Sequence, residues 1–158
     1  MKKYFILLSI VFLFGCSDRD SDSVATQVNY HFSADETACA FIFYNVEDAS
    51  PLTIKDNIID YHFDQRNIIT TSSSYDFGWK SKETSGFRST NYYKADKSKI
   101  NEDDIAAANG SYTLEGIEHQ FQVFHFNFNK QEECLSSDSS EDDSLFRKLI
   151  EEIYIKIN

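Results

Sequence analysis

The sequence predicts an α+β fold, a mainly antiparallel β-sheet with a C-terminal amphipathic helix packed on it. Short runs of aromatic and β-branched residues alternate with polar residues over most of the chain, as half-buried strands do. Polar and glycine-containing turn segments separate these runs. Residues 145–157 instead carry apolar side chains at helical spacing.

The first predicted strands share one aromatic pattern. The segment VNYHF places Val28, Tyr30 and Phe32 on one face, and NIIDYHF at 57–63 repeats the arrangement. The following DQR and NIITT predict a turn and a hairpin partner. Further strands are predicted at YDFGWK and GFRSTNYYK, and no long internal repeat is expected.

The clearest hairpin is predicted at 111–129, SYTLEGIEHQFQVFHFNFN, with its turn at Glu115 and Gly116. Its second arm has apolar residues on both faces, with Phe121 and Val123 on one and Phe124, Phe126 and Phe128 on the other. This distribution predicts either a β-bulge or a strand that is buried on both faces.

Helical patterns are fewer. Asn101 precedes three acidic residues, and the segment EDDIAAA then ends at an Asn-Gly pair, which predicts a short helix. A second helix is predicted from Leu145 because acidic residues 141–143 suit the positive end of its dipole. The segment 33–45 is open, since Ser33 and Glu36 form a capping box while CAFIFYN has the composition of a strand.

The N-terminus carries a targeting pattern. Lys2 and Lys3 precede eleven apolar residues, which are too few to span a bilayer and typical of a signal peptide. Leu13-Phe14-Gly15-Cys16 then resembles the lipobox of bacterial lipoproteins. The resemblance implies that residues 1–15 are a removed signal peptide and that Cys16 is the lipidated N-terminus, with palmitate-type acyl chains anchoring it to a membrane.

The same resemblance predicts location and domain organisation. Ser17 stands where enterobacterial-type lipoproteins carry aspartate for inner-membrane retention, so we expect outer-membrane anchoring, facing the periplasm. The acidic run at 17–22 also looks like surface-export signals of Bacteroidetes-type lipoproteins, which leaves the cell surface as an alternative. Residues 16–27 are interpreted as lipidated cysteine and acidic tether, and 28–158 as one α+β globular domain.

Charge narrows the class of partner. The chain has a net charge of −11, and removal of the signal peptide leaves 13 basic against 26 acidic residues, a net charge of −13. We therefore expect no nucleic-acid binding, and membrane contact only through the lipid anchor. A protein partner of basic character is expected because the acidic surface would steer cationic molecules.

Cysteine use fits an oxidising compartment. After lipidation of Cys16, an even pair remains, Cys39 and Cys134. We predict that these two form a disulfide. A catalytic or metal-binding thiol is the alternative, and no neighbouring Cys-x-x-Cys or Cys/His motif supports it.

Three histidines sit between aromatic residues, at His31, His62 and His125. If their strands were adjacent, three imidazoles could gather into a zinc site. Outward positions beside core aromatics are the favoured explanation, because His125 shares its strand face with Phe121 and Val123. Tyr75, Phe77 and Trp79 would share one strand face and could stack on a sugar ring, or else pack in the core.

The sequence contains no complete motif of a known enzyme class, so no catalytic residue is assigned and no cofactor is expected. Gly-x-Ser-x-Gly and His-Glu-x-x-His are both absent from the sequence. The function predicted is a non-enzymatic protein-binding lipoprotein, an envelope immunity or inhibitor protein or an assembly accessory. The alternative is an envelope glycan hydrolase or glycan-binding protein whose site is assembled in space.

Overall fold

A computed structural model of the chain describes residues 24–33, 39–79, 88–114, 116–126 and 145–155. Within these ranges seven strands form two sheets. Sheet A contains β1 (Gln27–His31), β3 (Ile58–His62) and β5 (Ser89–Tyr93). Sheet B contains β2 (Cys39–Phe43), β4 (Ile68–Thr70), β6 (Ile105–Leu114) and β7 (Ile117–Phe126).

Sheet A is entirely parallel, in the order β3-β1-β5. Its register places Tyr30 between Tyr61 and Tyr92, each 31 positions from the next along the chain. The Tyr30 ring stacks on the Tyr61 ring at 4.9 Å and on the Tyr92 ring at 5.4 Å. Tyrosine side chains therefore stack across the three strands, and such cross-strand pairs stabilise a sheet.

Sheet B is mixed, in the order β4-β2-β7-β6, with β2 parallel to β4 and the other pairs antiparallel. The predicted α+β class with a mainly antiparallel sheet is therefore wrong. The described residues are mostly strand, with one six-residue α-helix, α1 (Leu145–Ile150), that continues as a π-helical turn, Glu151–Ile155. Local alternation identifies strands, but it carries no information about the direction in which distant strands pair.

The main core lies between the two sheets. Tyr30 of β1 and Phe32, directly after β1, pack with Ile42 of β2 and Phe124 of β7 in one buried cluster. Phe121 and Val123 belong to a second cluster on the opposite face of sheet B. The β6–β7 register runs unbroken along β7, so this strand contains no bulge. It is buried on both faces only around residues 121–124.

The C-terminal segment covers that opposite face. Leu149 and Ile150 are buried with Phe41 and Phe43 of β2. The hydroxyl of Tyr154 donates a hydrogen bond to the backbone carbonyl of Tyr44, at 3.2 Å. The described layers are therefore sheet A, sheet B and a short helical segment.

Two local predictions need correction, and the structure decides part of one open segment. DQR does form a turn, with Asn67 at a positive φ of 56° after it, but β4 joins sheet B and is not a hairpin partner of β3. The described part of YDFGWK, residues 75–79, forms turns, with the N–H of Phe77 donating to the carbonyl of Ser74 and that of Trp79 to the carbonyl of Asp76. In the open segment 33–45, residues 39–43 form β2, and residues 34–38 lie outside the described part.

The predicted EDDIAAA helix is also wrong. Only Glu102–Asp104 is helical, as one 3-10 turn capped by Asn101, and the alanines belong to β6. The hairpin turn after β6 is confirmed, because Leu114 pairs with Ile117 and Gly116 has a φ of +83°. Pairing with β7 outweighs the helical preference of alanine.

The beginning of the folded part lies inside the predicted tether. Ala25 is buried, its N–H donates to the carbonyl of Gly78 at 3.0 Å, and β1 starts at Gln27. Residues 1–23, including Cys16, are outside the described residues. Where the structure describes helices, none is long and apolar enough to cross a membrane.

Candidate functional site

The outer face of sheet A carries polar side chains in two rows. Alternation along β1 buries Tyr30 and Phe32 in the core, which directs Asn29 and His31 to the opposite face. Because the three strands are parallel and in register, each outward residue has counterparts on its neighbours. The first row is Asp60, Asn29 and Asn91. The second row, two residues further along each strand, is His62, His31 and Tyr93.

Hydrogen bonds hold the first row together. The side-chain amide of Asn29 donates to Oδ1 of Asp60 at 2.9 Å. The amides of Asn91 and Gln27 donate to Oδ1 of Asn29, at 3.1 Å and 2.8 Å. Asn29 is itself buried, so its satisfied amide fixes the middle of this face.

The second row is a stack of rings, which we call the imidazole ladder: His62, His31 and Tyr93. The His31 and His62 centroids are 4.6 Å apart with planes 14° from parallel, and Tyr93 lies 5.0 Å from His31 on its other side. Nε2 of His31 lies 3.0 Å from Oδ1 of Asp60. An ionised carboxylate only accepts hydrogen bonds, so His31 donates here, and this contact orients its ring.

Asp60 is the acid that supports the ladder. Its partial burial favours the neutral form, but hydrogen bonds from Asn29 and His31 outweigh that effect and lower the pKa of Asp60 below its ordinary value. The carboxylate is therefore ionised at neutral pH. It accepts hydrogen bonds from both rows of the sheet face.

An open groove of about 590 Å³ lies beside the ladder, at the carboxyl ends of β1, β3 and β5. Nine described residues line it: His31, Phe32, Ser33, His62, Phe63, Tyr93, Lys94, Ala95 and Lys97. We call this the basic groove because its ionisable lining residues, apart from the Tyr93 phenol, are histidines and lysines. A groove of this size is within the range of small-molecule sites.

A tight turn positions the two lysines. The N–H of Lys97 donates to the carbonyl of Lys94 at 2.9 Å, and the N–H of Lys94 donates to the carbonyl of Ser98 at the same distance. The carboxylate of Asp96 accepts from the backbone N–H of Ser98 at 2.8 Å. Lys97 adopts a positive φ of 68°, held by these backbone bonds. The backbone that bears both ammonium groups is thus fixed at the groove.

Ser33, His31 and Asp60 are the three residue types of a nucleophilic triad, and the first two line the groove. The hydroxyl of Ser33, however, donates to the backbone carbonyl of Phe63 at 2.5 Å. Nε2 of His31 is engaged by Asp60. A nucleophile needs a hydrogen bond to a general base, and Ser33 directs its proton to a carbonyl instead. The arrangement therefore resembles a binding surface more than an acyl-transfer site.

Of the three histidines considered for zinc, one lies apart from the other two. His31 and His62 stack in sheet A, whereas His125 lies on β7 of sheet B, opposite Cys39. Burial lowers the pKa of His125. Throughout the described ranges there is no group of three histidine, cysteine or acidic residues arranged to hold a metal ion.

The proposed sugar platform is also not assembled. Tyr75 packs edge-on against Tyr44 with centroids 5.3 Å apart, and Phe77 packs against the core between the sheets. Trp79 is 51% exposed, and the guanidinium of Arg88 lies 4.1 Å from the centroid of its ring. These aromatics sit in turns with separate surroundings, so they present no common stacking face.

Cys39 is buried on β2 and is disulfide-bonded. Its predicted partner, Cys134, lies outside the described residues. The pairing of these two cysteines stays a prediction.

Sequence reasoning missed Asp60, Tyr93, Lys94 and Lys97 as site residues. A usable pattern existed, because His31, His62 and Tyr93 are each 31 positions apart and follow Asx-Tyr at every occurrence. A repeat of that period predicts equivalent strands, whose equivalent side chains can lie in one row.

Comparison with known proteins supports the fold alone. No family model matches the chain, and no curated protein matches its sequence. A solved structure described as a "Putative Lipoprotein from Bacillus anthracis" is similar with a TM-score of 0.53 and 18% identity. The match covers 83% of this chain and 98% of that one. The chain therefore shares its fold with this bacterial protein.

Proposed function

We propose that this chain is a lipid-anchored, non-enzymatic binding protein of the bacterial envelope that docks a protein partner close to the membrane. The lipobox-like Leu13-Phe14-Gly15-Cys16 supports the anchor. The description of the B. anthracis protein of similar fold agrees with it. Outer-membrane anchoring toward the periplasm is the finer part of the proposal and depends on Ser17.

The observation that carries a binding role is the basic groove. It combines a stacked imidazole ladder with two lysines, while its serine donates its proton to a backbone carbonyl. Glycoside hydrolysis needs two carboxyl groups about 5–9.5 Å apart. None of the residues described as lining the groove is acidic. A smaller groove of about 260 Å³ beside Gly110 has one acid, Glu118, among its described lining residues. These linings favour binding over glycan hydrolysis.

The anchor would also confine the partner. Between Cys16 and Val24, where the described fold begins, the chain can extend by at most about 28 Å. A partner would therefore lie at the membrane or close to it. The net charge of −13 after processing would speed encounter with a partner that has a basic surface, and this effect would weaken with salt.

The anchor is tested by metabolic labelling with an alkyne fatty acid. We expect the native chain and a Ser17→Ala control to be labelled, and Cys16→Ser to remain an unlabelled precursor. Labelled, mature Cys16→Ser protein would contradict the lipoprotein assignment.

The docking site is tested by in-cell crosslinking and mass spectrometry with the full-length lipidated protein. The variant Lys94→Gln/Lys97→Gln should lose the partner that the native protein captures, and Lys55→Gln, at the other end of β3, should retain it. Equal capture by all three would refute docking at the basic groove. Release of soluble glycan from purified envelope material by the native protein would instead support the hydrolase alternative.

A further inference from the structure

We infer that the basic groove recognises a small oxyanion, a carboxylate or phosphate group carried by its ligand. This inference rests on the proposed function, because it takes the groove as the binding site. The group would lie among four bases contributed by two parts of the fold: the histidines His31 and His62 of the sheet face, and the lysines Lys94 and Lys97 of the turn after β5.

The composition of the groove opposes that of the protein. The whole chain has 26 acidic and 15 lysine or arginine residues. The described groove lining has two lysines, two histidines and no acid. Asp60, which adjoins the ladder, already accepts hydrogen bonds from Asn29 and His31. The groove is thus a local basic site within an acidic molecule, and oxyanions are the complementary ligands.

The parts of the groove are positioned before a ligand arrives. Nε2 of His31 donates to Asp60, and the His31 ring is stacked between His62 and Tyr93. The backbone hydrogen bonds of the 94–98 turn fix the points from which both lysine side chains extend. A site whose parts are already positioned loses less conformational entropy when it binds.

The rest of the charge limits the size of the ligand. The electrostatic field of a surface charge is screened over about 8 Å at physiological ionic strength. A ligand in the groove is therefore screened from most of the acidic surface. A long polyanion would extend onto that surface and be repelled. The groove volume of about 590 Å³ admits a sugar acid or a single acidic side chain. The oxyanion would thus come from a free small molecule or from one carboxylate of the protein partner.

The test uses the full-length lipidated protein in a neutral detergent, with the imidazole C2–H proton resonances followed at constant ionic strength. The probes are inorganic phosphate, glucuronate and uncharged glucose. Phosphate and glucuronate should shift the His31 and His62 resonances saturably, and glucose should not. The double variant Lys94→Gln/Lys97→Gln should bind both anions about tenfold more weakly, because it loses two exposed charge-assisted contacts. Lys55→Gln should bind them as the native protein does.

Several results would overturn the inference: no saturable shift, equal shifts with glucose, or equal anion affinity in the double variant. Heparin competing as strongly as phosphate would overturn the limit to small ligands. If glucuronate prevents crosslinking of the partner, the oxyanion belongs to the partner. If anions bind and partner capture is unchanged, the oxyanion belongs to a free small molecule. Failure of partner capture with intact anion binding would refute only the docking proposal.

Discussion

Replacing Phe124 by alanine should cost a large part of the stability of the fold. Phe124 is fully buried, and its ring centroid lies 4.8 Å from Tyr30, 5.6 Å from Phe32 and 5.9 Å from Phe63. Its partners lie in or directly after the strands of sheet A, while Phe124 itself belongs to sheet B, so truncation opens a cavity between the sheets. Substitutions of this kind cost about 3–5 kcal/mol, out of the roughly 5–15 kcal/mol that stabilise a domain.

Urea unfolding of the purified protein, followed by tryptophan fluorescence, measures this cost. With a typical dependence of about 2 kcal/mol per molar urea, the midpoint should fall by roughly 2 M. The matched control is Ile117→Ala on the same strand, which is 62% exposed and should lose less than about 1 kcal/mol. A Phe124→Ala loss no larger than that of the control would refute the packing of sheet A on this face of sheet B.

Three further predictions concern backbone space, pH and the disulfide. Gly110→Ala should destabilise by about 1–3 kcal/mol in urea unfolding, because the added Cβ would lie 2.5 Å from Cζ of Phe121; a neutral result would contradict the cross-strand contact. The pKa of Asp60 is lowered on folding, so its ionised form stabilises the fold above pH 4 and this contribution disappears as pH falls. The stability gap between native protein and Asp60→Asn should therefore narrow from pH 7 to pH 3, and a constant gap would argue against these hydrogen bonds. Non-reducing peptide mapping should recover Cys39 linked to Cys134, and two thiols that alkylate without denaturant would exclude the bridge.

Local patterns in the sequence predicted the elements whose pairing is local. The β6–β7 hairpin followed from the turn at Gly116 and from alternation in both arms, and its register is confirmed. Burial on both faces was one of the two alternatives that the pattern of Val123 and Phe124 left open, and the structure selects it over a bulge. In such a hairpin, two-residue turn geometry and the period of two fix the register between neighbouring segments.

Elements whose conformation depends on pairing with distant strands could not be predicted from local sequence patterns. The alanines after Asp104 have a helical composition, yet a ten-residue ladder with β7 holds them extended. The direction of β4 was also missed, because its parallel partner β2 is distant in sequence and no turn connects them directly. Tertiary contacts override weak local preferences in both cases.

The site was predicted only in part. Alternation correctly directed His31 and His62 away from the core, and their adjacency was anticipated as one condition of a metal site. The third member of the row is Tyr93, not His125, since β5 and not β7 pairs with β1. Lys94 and Lys97 reach the groove only because parallel strands end at the same edge of the sheet.

The register that creates the imidazole ladder can be measured directly by nuclear Overhauser effects between aromatic side chains. The chain has four histidines, so single His→Gln variants assign each imidazole resonance without ambiguity. Parallel, in-register pairing of β1 with β3 and β5 predicts Overhauser contacts from His31 to both His62 and Tyr93, whose centroids lie 4.6 Å and 5.0 Å away. Contacts from His31 to neither ring, in a protein that is otherwise folded, would contradict the ladder and with it the basic groove.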